Sequence, residues 1–257
     1  MKSLLTAFRT LTIIPWPGKE SKDFASSLPW FPVVGLVLGL ILYAIAFLWV
    51  KQPFAQWPAG GALTLLFVHI SLTRGLHQDG LADWADSMGG MFNREKRLEI
   101  MKDSSVGAFG VIALILVLAA KWAAIERIIS SGSIIWLLPL PIISRSMMVE
   151  LITILPYART GNGMGRRFVE GSSMRHRILS HIICLIFCLF FGPLGLLLWL
   201  SAMILTGIFG RRCLKTFGGI TGDLMGAANE LIETALLFIC AFPGSGIMSY
   251  KGWAWIF

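Results

Sequence analysis

Two stretches of this chain, Trp30 to Val50 and Ile182 to Gly210, contain no charged residue. A helix crosses the hydrocarbon core of a bilayer with roughly 20 mostly apolar residues, so the first stretch reads as one span. The second is too long for an ordinary crossing. Gly192-Pro193 interrupts it and predicts two short segments in a tight hairpin. Further apolar stretches follow the same rule: Pro58–Thr73 with His69 inside it, Gly107–Ile125 with Lys121 near its end, Ile134–Leu155 interrupted by Arg145 and Glu150, and Gly222–Phe242. Lys121 is expected to snorkel outward. Hydrophobic residues make up 56% of the chain and charged residues 14%, where a soluble domain carries about a quarter charged. The expected fold is all-α: a polytopic bundle of about six to seven transmembrane spans, with residues 1–257 as a single integral membrane domain.

Ahead of the first span, Leu4, Leu5, Phe8 and Leu11 share one face at helical spacing. They predict an amphipathic helix lying in the interface, ended by Pro15 and Pro17. Arg9 breaks the apolar run, which argues against a signal peptide. Membrane lipid is therefore the chain's solvent and partner. The net charge of +8 needs no nucleic acid, because Lys and Arg collect in cytoplasmic loops. With the N-terminus inside, 17 of the 22 basic residues fall on the cytoplasmic side. That count requires the long apolar stretch to cross an even number of times, in agreement with the hairpin. The four cysteines (Cys184, Cys188, Cys213, Cys240) form no C-x-x-C pair, so neither a disulfide framework nor a zinc site is expected.

The acids are distributed unusually. On this topology only Glu126 lies outside, and acids contribute little to orientation, so something else holds them. In Gly75–Gly90, GLHQDGLADWADSMGG, the residues Asp79, Asp83 and Asp86 are spaced i, i+4, i+7. This places three carboxylates on one helix face, where like charges repel. A divalent cation removes the penalty, and oxygen-only ligands suit Mg2+ or Mn2+. The alternative is a solvated acidic loop. The run abuts an apolar span and has no lysine at i+4 to offset it, which favours the metal reading. His77 lies just upstream, and Gly80 permits close approach of a backbone or phosphate.

Three other clusters carry chemistry. In Leu98–Gly110, LEIMKDSSVGAFG, Lys102 and Asp103 precede a glycine-punctuated helix entry that could bind phosphate; a capped helix start is the plainer reading. In Gly222–Glu233, GDLMGAANELIE, Asp223 and Glu230 share a face near Gly226 and Ala227, with Glu233 one turn on. Acids in an apolar helix are costly without partners, and structural pairing with Arg145 or Arg211 is the alternative there. The loop Pro156–Gly165, PYARTGNGMG, places Arg159 beside Arg166 and Arg167, suited either to nucleotide phosphates or to setting topology. Walker A, G-x-S-x-G, H-E-x-x-H and Rossmann fingerprints are absent. What remains is chemistry in which metal-bound carboxylates neutralise phosphates and position a nucleophile.

The run His77-Gln78-Asp79-Gly80-Leu81-Ala82-Asp83-Trp84-Ala85-Asp86 resembles the H-x-D-G-L-A-D-x-x-D signature of the cobalamin synthases, the adenosylcobinamide-GDP ribazoletransferases. Glu99-Ile100-Met101-Lys102-Asp103-Ser104, followed by Gly107 and Gly110, is similar to that family's E-I-M-K-D-S-x-x-G-x-x-G. Phe31-Pro32-Val33-Val34-Gly35, Pro156-Tyr157-Ala158-Arg159, Gly222-Asp223 and Gly226-Ala227 fit in the same order.

The resemblance implies a Mg2+-dependent enzyme of the bacterial inner membrane, its site open to the cytoplasm. The ribazole 5′-hydroxyl, or that of its 5′-phosphate, attacks the cobinamide-linked phosphate of adenosylcobinamide-GDP, and GMP leaves. It further implies that Asp79, Asp83 and Asp86 hold metal and that Asp223 or Glu230 completes the set or takes the proton. Lys102, Arg159 and Asp103 would face the substrate, and His77 would act as base or as supporting partner. D-G-x-A also resembles the CDP-alcohol phosphotransferases, but Ala82 falls one position early and Asp83 replaces their arginine. A cation-coupled transporter is the alternative from another class; it should show inverted repeats and midplane acids.

Overall fold

A computed structural model describes residues 2–51, 56–161, 163–244 and 252–255. Among these the secondary structure is helical, with eleven α-helices and one isolated bridge between Tyr157 and Ile220. α1 (Lys2–Leu11) buries Leu5, Ala7, Phe8 and Leu11 and exposes Arg9 in part, the amphipathic pattern expected of it. A short 3-10 turn leads into α2 (Phe31–Lys51). The rest run α3 (Pro58–Leu72), α4 (Leu76–Met88), α5 (Arg94–Ile100), α6 (Ala108–Ser130), α7 (Pro139–Ile154), α8 (Met164–Gly171), α9 (Met174–Phe190), α10 (Gly192–Phe217) and α11 (Gly222–Ala241).

Five segments are long and apolar enough to cross a membrane, and two sharply bent helix pairs raise the number to seven. The bent pairs explain the boundaries that the apolar pattern left open. α3 is short and stops where Arg74 and Gly75 both take positive φ, 57° and 64°. The chain turns 90° there, and α4 leaves at the level where α3 ends. α8 meets α9 at 96° in the same way. The hairpin is present: Gly192, with φ 64°, reverses the chain between α9 and α10. Cys188 lies against Gly195, and His181 meets Trp199 edge-on at 5.9 Å, an antiparallel pairing. α9 starts eight residues before the uncharged stretch. Its first turns are polar because Arg177 and His181 both engage Glu150 of α7.

α7 and α11 form the centre. Of the apolar 18-residue stretch within Ile134–Ile154 83% is buried, against 22% for that within α6. α2 reaches α7 through Gly35 and Gly39, whose missing side chains leave room for the carbonyls of Pro141 and Leu138. α4 and α11 interlock by the same device. A Cβ on Gly80 would lie 2.5 Å from the Asp223 carbonyl oxygen, and one on Gly226 would lie 3.1 Å from the Cα of His77.

Charged groups join four helices at this centre. Lys121 Nζ of α6 lies 2.8 Å from Glu230 Oε2 and 3.0 Å from Glu233 Oε1, both on α11. Arg145 of α7 pairs with Glu233 and meets His69 Nε2 of α3 at 3.0 Å. Ser144 Oγ donates to Glu233 Oε2 at 3.1 Å. Lys121 therefore does not snorkel: it is 1% exposed. Two acids one turn apart on α11 leave it no better destination, since an unpartnered charge in an apolar bundle costs several kcal/mol.

Candidate functional site

The bend after α3 sets α4 across the end of the bundle, with Gly80 pressed on the first turn of α11. The four chemistry-bearing residues of α4 consequently meet different surroundings. Asp79 is exposed, and Asp83 is half-buried. Burial pushes the Asp83 carboxyl up to about 7, aided by the like charges of Asp223 and Asp79 and opposed by Arg159. Asp86 points the other way. Its Oδ2 accepts from the Gly107 N–H and its Oδ1 from the Gly110 N–H, both at 2.8 Å, so it caps the start of α6. Cβ atoms on Gly107 or Gly110 would collide with this carboxylate. His77 is buried; its Nδ1 lies 3.0 Å from Asn229 Nδ2 of α11, and burial holds the imidazole well below its ordinary pKa.

Asp223 faces this group from α11, where Thr221 Oγ1 caps the helix by accepting from Leu224 N–H. Its partner is Arg159, whose Nη2 donates to Asp223 Oδ2 at 2.6 Å and to the Met101 carbonyl at 2.9 Å. Arg159 is thus the tie between three loops. The Ala158 N–H donates to the Ile220 carbonyl, the Ile220 N–H donates to Pro156, and Arg94 donates to the Ala158 carbonyl. The E-I-M-K-D-S segment, the P-Y-A-R loop and the G-D helix start, distant in sequence, meet at one end of the molecule.

The other expected site residues fall as follows. Lys102 is exposed on the same end. Asp103 is held below its ordinary pKa by the Ser105 hydroxyl and N–H, both of which donate to it. Arg166 and Arg167 lie on α8, stacked over Tyr157 and Phe24 at 5.7 and 5.4 Å. Asn162 of the glycine-rich loop lies outside the described residues. Glu230 lies two turns of α11 beyond Asp223 and belongs to the Lys121 cluster. Glu233 is paired with Arg145, as the structural alternative held, whereas Asp223 finds Arg159. Sequence reasoning missed the Lys121–Glu230 pair and Asn229. The signal for the first was present: Lys121 and Arg145 are the cations of the apolar segments, and Glu230 and Glu233 stand one turn apart among their acids.

Two cavities adjoin the acids. One of about 430 Å3 lies over the α5–α6 loop and is lined by Asp86, Asp103, Ser105 and Gly107. The other, of about 250 Å3, runs beneath α1 and α8 with Asp79 and Asp223 on its wall. No three His, Cys, Asp or Glu side chains among the described residues converge into a ready-made metal cage. Asp79, Asp83 and Asp223 nonetheless form an oxygen-only set whose like charges are offset by one arginine. That suits Mg2+, which takes one or two carboxylates and completes its shell with substrate phosphates and water.

Comparison with known proteins decides the family. The family model for cobalamin-5-phosphate synthase matches residues 3–241. The chain belongs to the cobalamin-5-phosphate synthase family. Adenosylcobinamide-GDP ribazoletransferase of Prosthecochloris aestuarii is 40% identical over 237 residues, covering 91% of this chain and 94% of its own. The enzyme of the same name from Chlorobaculum parvum is 40% identical over 256 residues, 97% and 98% of the two chains. That of Syntrophobacter fumaroxidans is 38% identical over 239 residues, 91% and 95%. No solved structure matches. The resemblance read from the two long motifs is borne out over nearly the whole chain, and with it the assignment to a transferase family of cobalamin assembly.

Proposed function

We propose that the end of the bundle where α4 crosses α11 is the active site of an adenosylcobinamide-GDP ribazoletransferase. The observation that carries this reading is the meeting of Asp79 and Asp83 on α4 with Asp223 and Arg159, beside a loop bearing Lys102. In the reaction, the 5′-hydroxyl oxygen of α-ribazole or its phosphate bonds to the phosphorus of the cobinamide phosphate. The bond from that phosphorus to the GMP oxygen breaks, and GMP leaves. A carboxylate beside the hydroxyl accepts its proton; Asp79, exposed at the cavity mouth, fills that role. Mg2+, or Mn2+ in its place, would be held by Asp83 and Asp223 with Asp79 adjoining, and supplies charge neutralisation of the pyrophosphate. Arg159 keeps Asp223 in place, and Lys102 reaches the phosphates from the loop. Asp86 serves by fixing the start of α6.

A corrinoid exceeds the two cavities beside the acids, of about 430 and 250 Å3, so it is taken from the aqueous side, with the ring outside and the pyrophosphate at the acids. The concentration of basic residues on that side supports a cytoplasmic orientation, and the family resemblance supports a bacterial inner membrane. The test is GMP release by purified protein in detergent, given adenosylcobinamide-GDP, α-ribazole and Mg2+. Metal-dependent GMP with a matching corrinoid product, both lost in Asp79→Ala, is the expected result. A folded wild type that yields no product, or an Asp79→Ala variant with full activity, overturns the assignment.

A further inference from the structure

Two adjacent glycines past the end of α4 each seat a phenyl ring. A Cβ on Gly89 would lie 2.2 Å from the Phe109 ring, and one on Gly90 would lie 2.6 Å from that of Phe92. Arg97 fixes the turn that carries them, donating to the carbonyls of Ser87, Gly90 and Phe92. Both rings are exposed, 41% at Phe92 and 55% at Phe109, and both line the cavity of about 430 Å3 over the α5–α6 loop. That volume lies within the roughly 300–1,000 Å3 of pockets that enclose a small ligand. The rest of the wall includes Ile100, Val106 and two carboxylates, Asp86 and Asp103.

The carboxylates choose the occupant. Asp86 already takes the N–H groups of Gly107 and Gly110, so the start of α6 offers an anion nothing, and a phosphate is repelled. Asp103 is exposed; Ser105 donates twice to its Oδ1, and its Oδ2 accepts no hydrogen bond among the described residues. The cavity thus suits a flat, neutral group that stacks on phenyl and donates hydrogen bonds from its edge. A lipid chain donates nothing. The benzimidazole of the acceptor has no N–H once it is joined to ribose. A corrin side-chain amide donates, but it has no ring to stack and hangs on a macrocycle larger than the cavity. Adenine of the adenosyl group sets one donor beside an acceptor that would face the carboxylate. Guanine presents N1–H and the N2 amine side by side. We propose that this cavity is the guanine pocket of the donor substrate, with Asp103 as its specificity-determining residue and Phe92 and Phe109 as its stacking walls. Its position agrees with the chemistry. Asp86, on its wall, is three residues on from Asp83, about 4.5 Å along α4, and Lys102, beside Asp103, serves the phosphates. The proposal rests on the transferase reading.

The experiment measures nucleotide release by purified full-length protein with saturating α-ribazole and Mg2+. The donors are adenosylcobinamide-GDP and its analogues with inosine, which lacks the N2 amine, or adenosine in place of guanosine. The wild type should favour the guanosine donor over the adenosine donor by about 100-fold in kcat/KM, with inosine between them. Asp103→Ala should raise the KM for the guanosine donor about tenfold, leave kcat within about threefold and shrink that preference to about threefold. Asp103→Asn, whose amide pairs with the N6 amine and a ring nitrogen of adenine, should use the adenosine donor better than the wild type does. Phe92→Ala should raise the KM for all three donors alike, about tenfold, because stacking is indifferent to the edge of the base. The acceptor KM should stay within about threefold throughout. Melting temperatures establish that the variants fold; if Phe92→Ala does not, Phe92→Leu tests the same wall. Equal losses with every donor in Asp103→Ala indicate a merely structural role and overturn the proposal. An unchanged donor KM in folded Phe92 variants leaves that ring as a membrane anchor and overturns the stacking wall. A wild type that forms product without preferring a base overturns the pocket and leaves the transferase reading intact. One that releases no nucleotide from any donor overturns both.

Discussion

At the scale of single residues, the three aspartates of α4 look equivalent in sequence and are not. Asp86 spends both oxygens on the Gly107 and Gly110 N–H groups, whereas Asp79 is open to solvent. Asp86→Ala should lose about 1–2 kcal/mol of stability, the cost of a helix cap, and Asp86→Asn should keep most of the cap and a measurable activity. Asp79→Asn should keep the wild-type melting temperature and lose about 100-fold or more in GMP release. Thermal denaturation and turnover on the same samples check the pair; equal losses in both variants would contradict the division of roles. The spacing i, i+4, i+7 made the shared face legible. It did not reveal that the face is wide enough for its last member to serve another helix, because that depends on where α6 begins. The N–H groups of Gly107 and Gly110, which have no intrahelical acceptor at the start of an apolar run, were the available hint.

Between elements, the decisive contacts are those that bring α11 against α4 and hold it in the bundle. Gly80→Ala would set a Cβ 2.5 Å from the Asp223 backbone oxygen, and a backbone atom cannot rotate aside. The two helices must part, costing about 1–3 kcal/mol, and activity should fall further than stability because Asp223 moves with α11. Deeper in the same helix, Lys121→Met leaves Glu230 buried without its cation, and breaking a buried pair costs about 3–5 kcal/mol. The double variant Lys121→Met with Glu230→Gln removes one charge of each sign and leaves Arg145 on Glu233. It should recover most of the lost melting temperature, as measured in detergent. Recovery in the double variant identifies the cluster as a structural lock; failure to recover would give Lys121 a role beyond charge balance. Here sequence reasoning stopped short for a physical reason. Periodicity identifies apolar helices but not which of them touch, so the mutual partners of Lys121, Arg145, Glu230 and Glu233 followed only from packing.

For the molecule as a whole, the spans were legible from hydropathy because lipid leaves helices few alternatives. The right angles between α3 and α4 and between α8 and α9 were less so, since they are made by short polar joints rather than by apolar length. Those joints matter for function: they lay α4 and α8 at one end of the bundle, with the acids of α4 and the arginines of α8 on a common side. Basic residues concentrate at that same end, in the α5–α6 loop, on α8 and at the close of α10, where Arg211, Arg212 and Lys215 lie. We propose from the charge rule that this end is the cytoplasmic one, which would set Arg127, near the end of α6, on the opposite face. The four native cysteines are buried, so they give little background to a thiol label. A cysteine placed at Lys102, which is exposed, should react with a membrane-impermeant maleimide in inverted vesicles and not in intact spheroplasts. One placed at Arg127 should show the reverse. Labelling of the Lys102 position from outside would put the acids on the outer face and invert the proposed topology. Labelling of both positions from one side would mean that α6 does not cross.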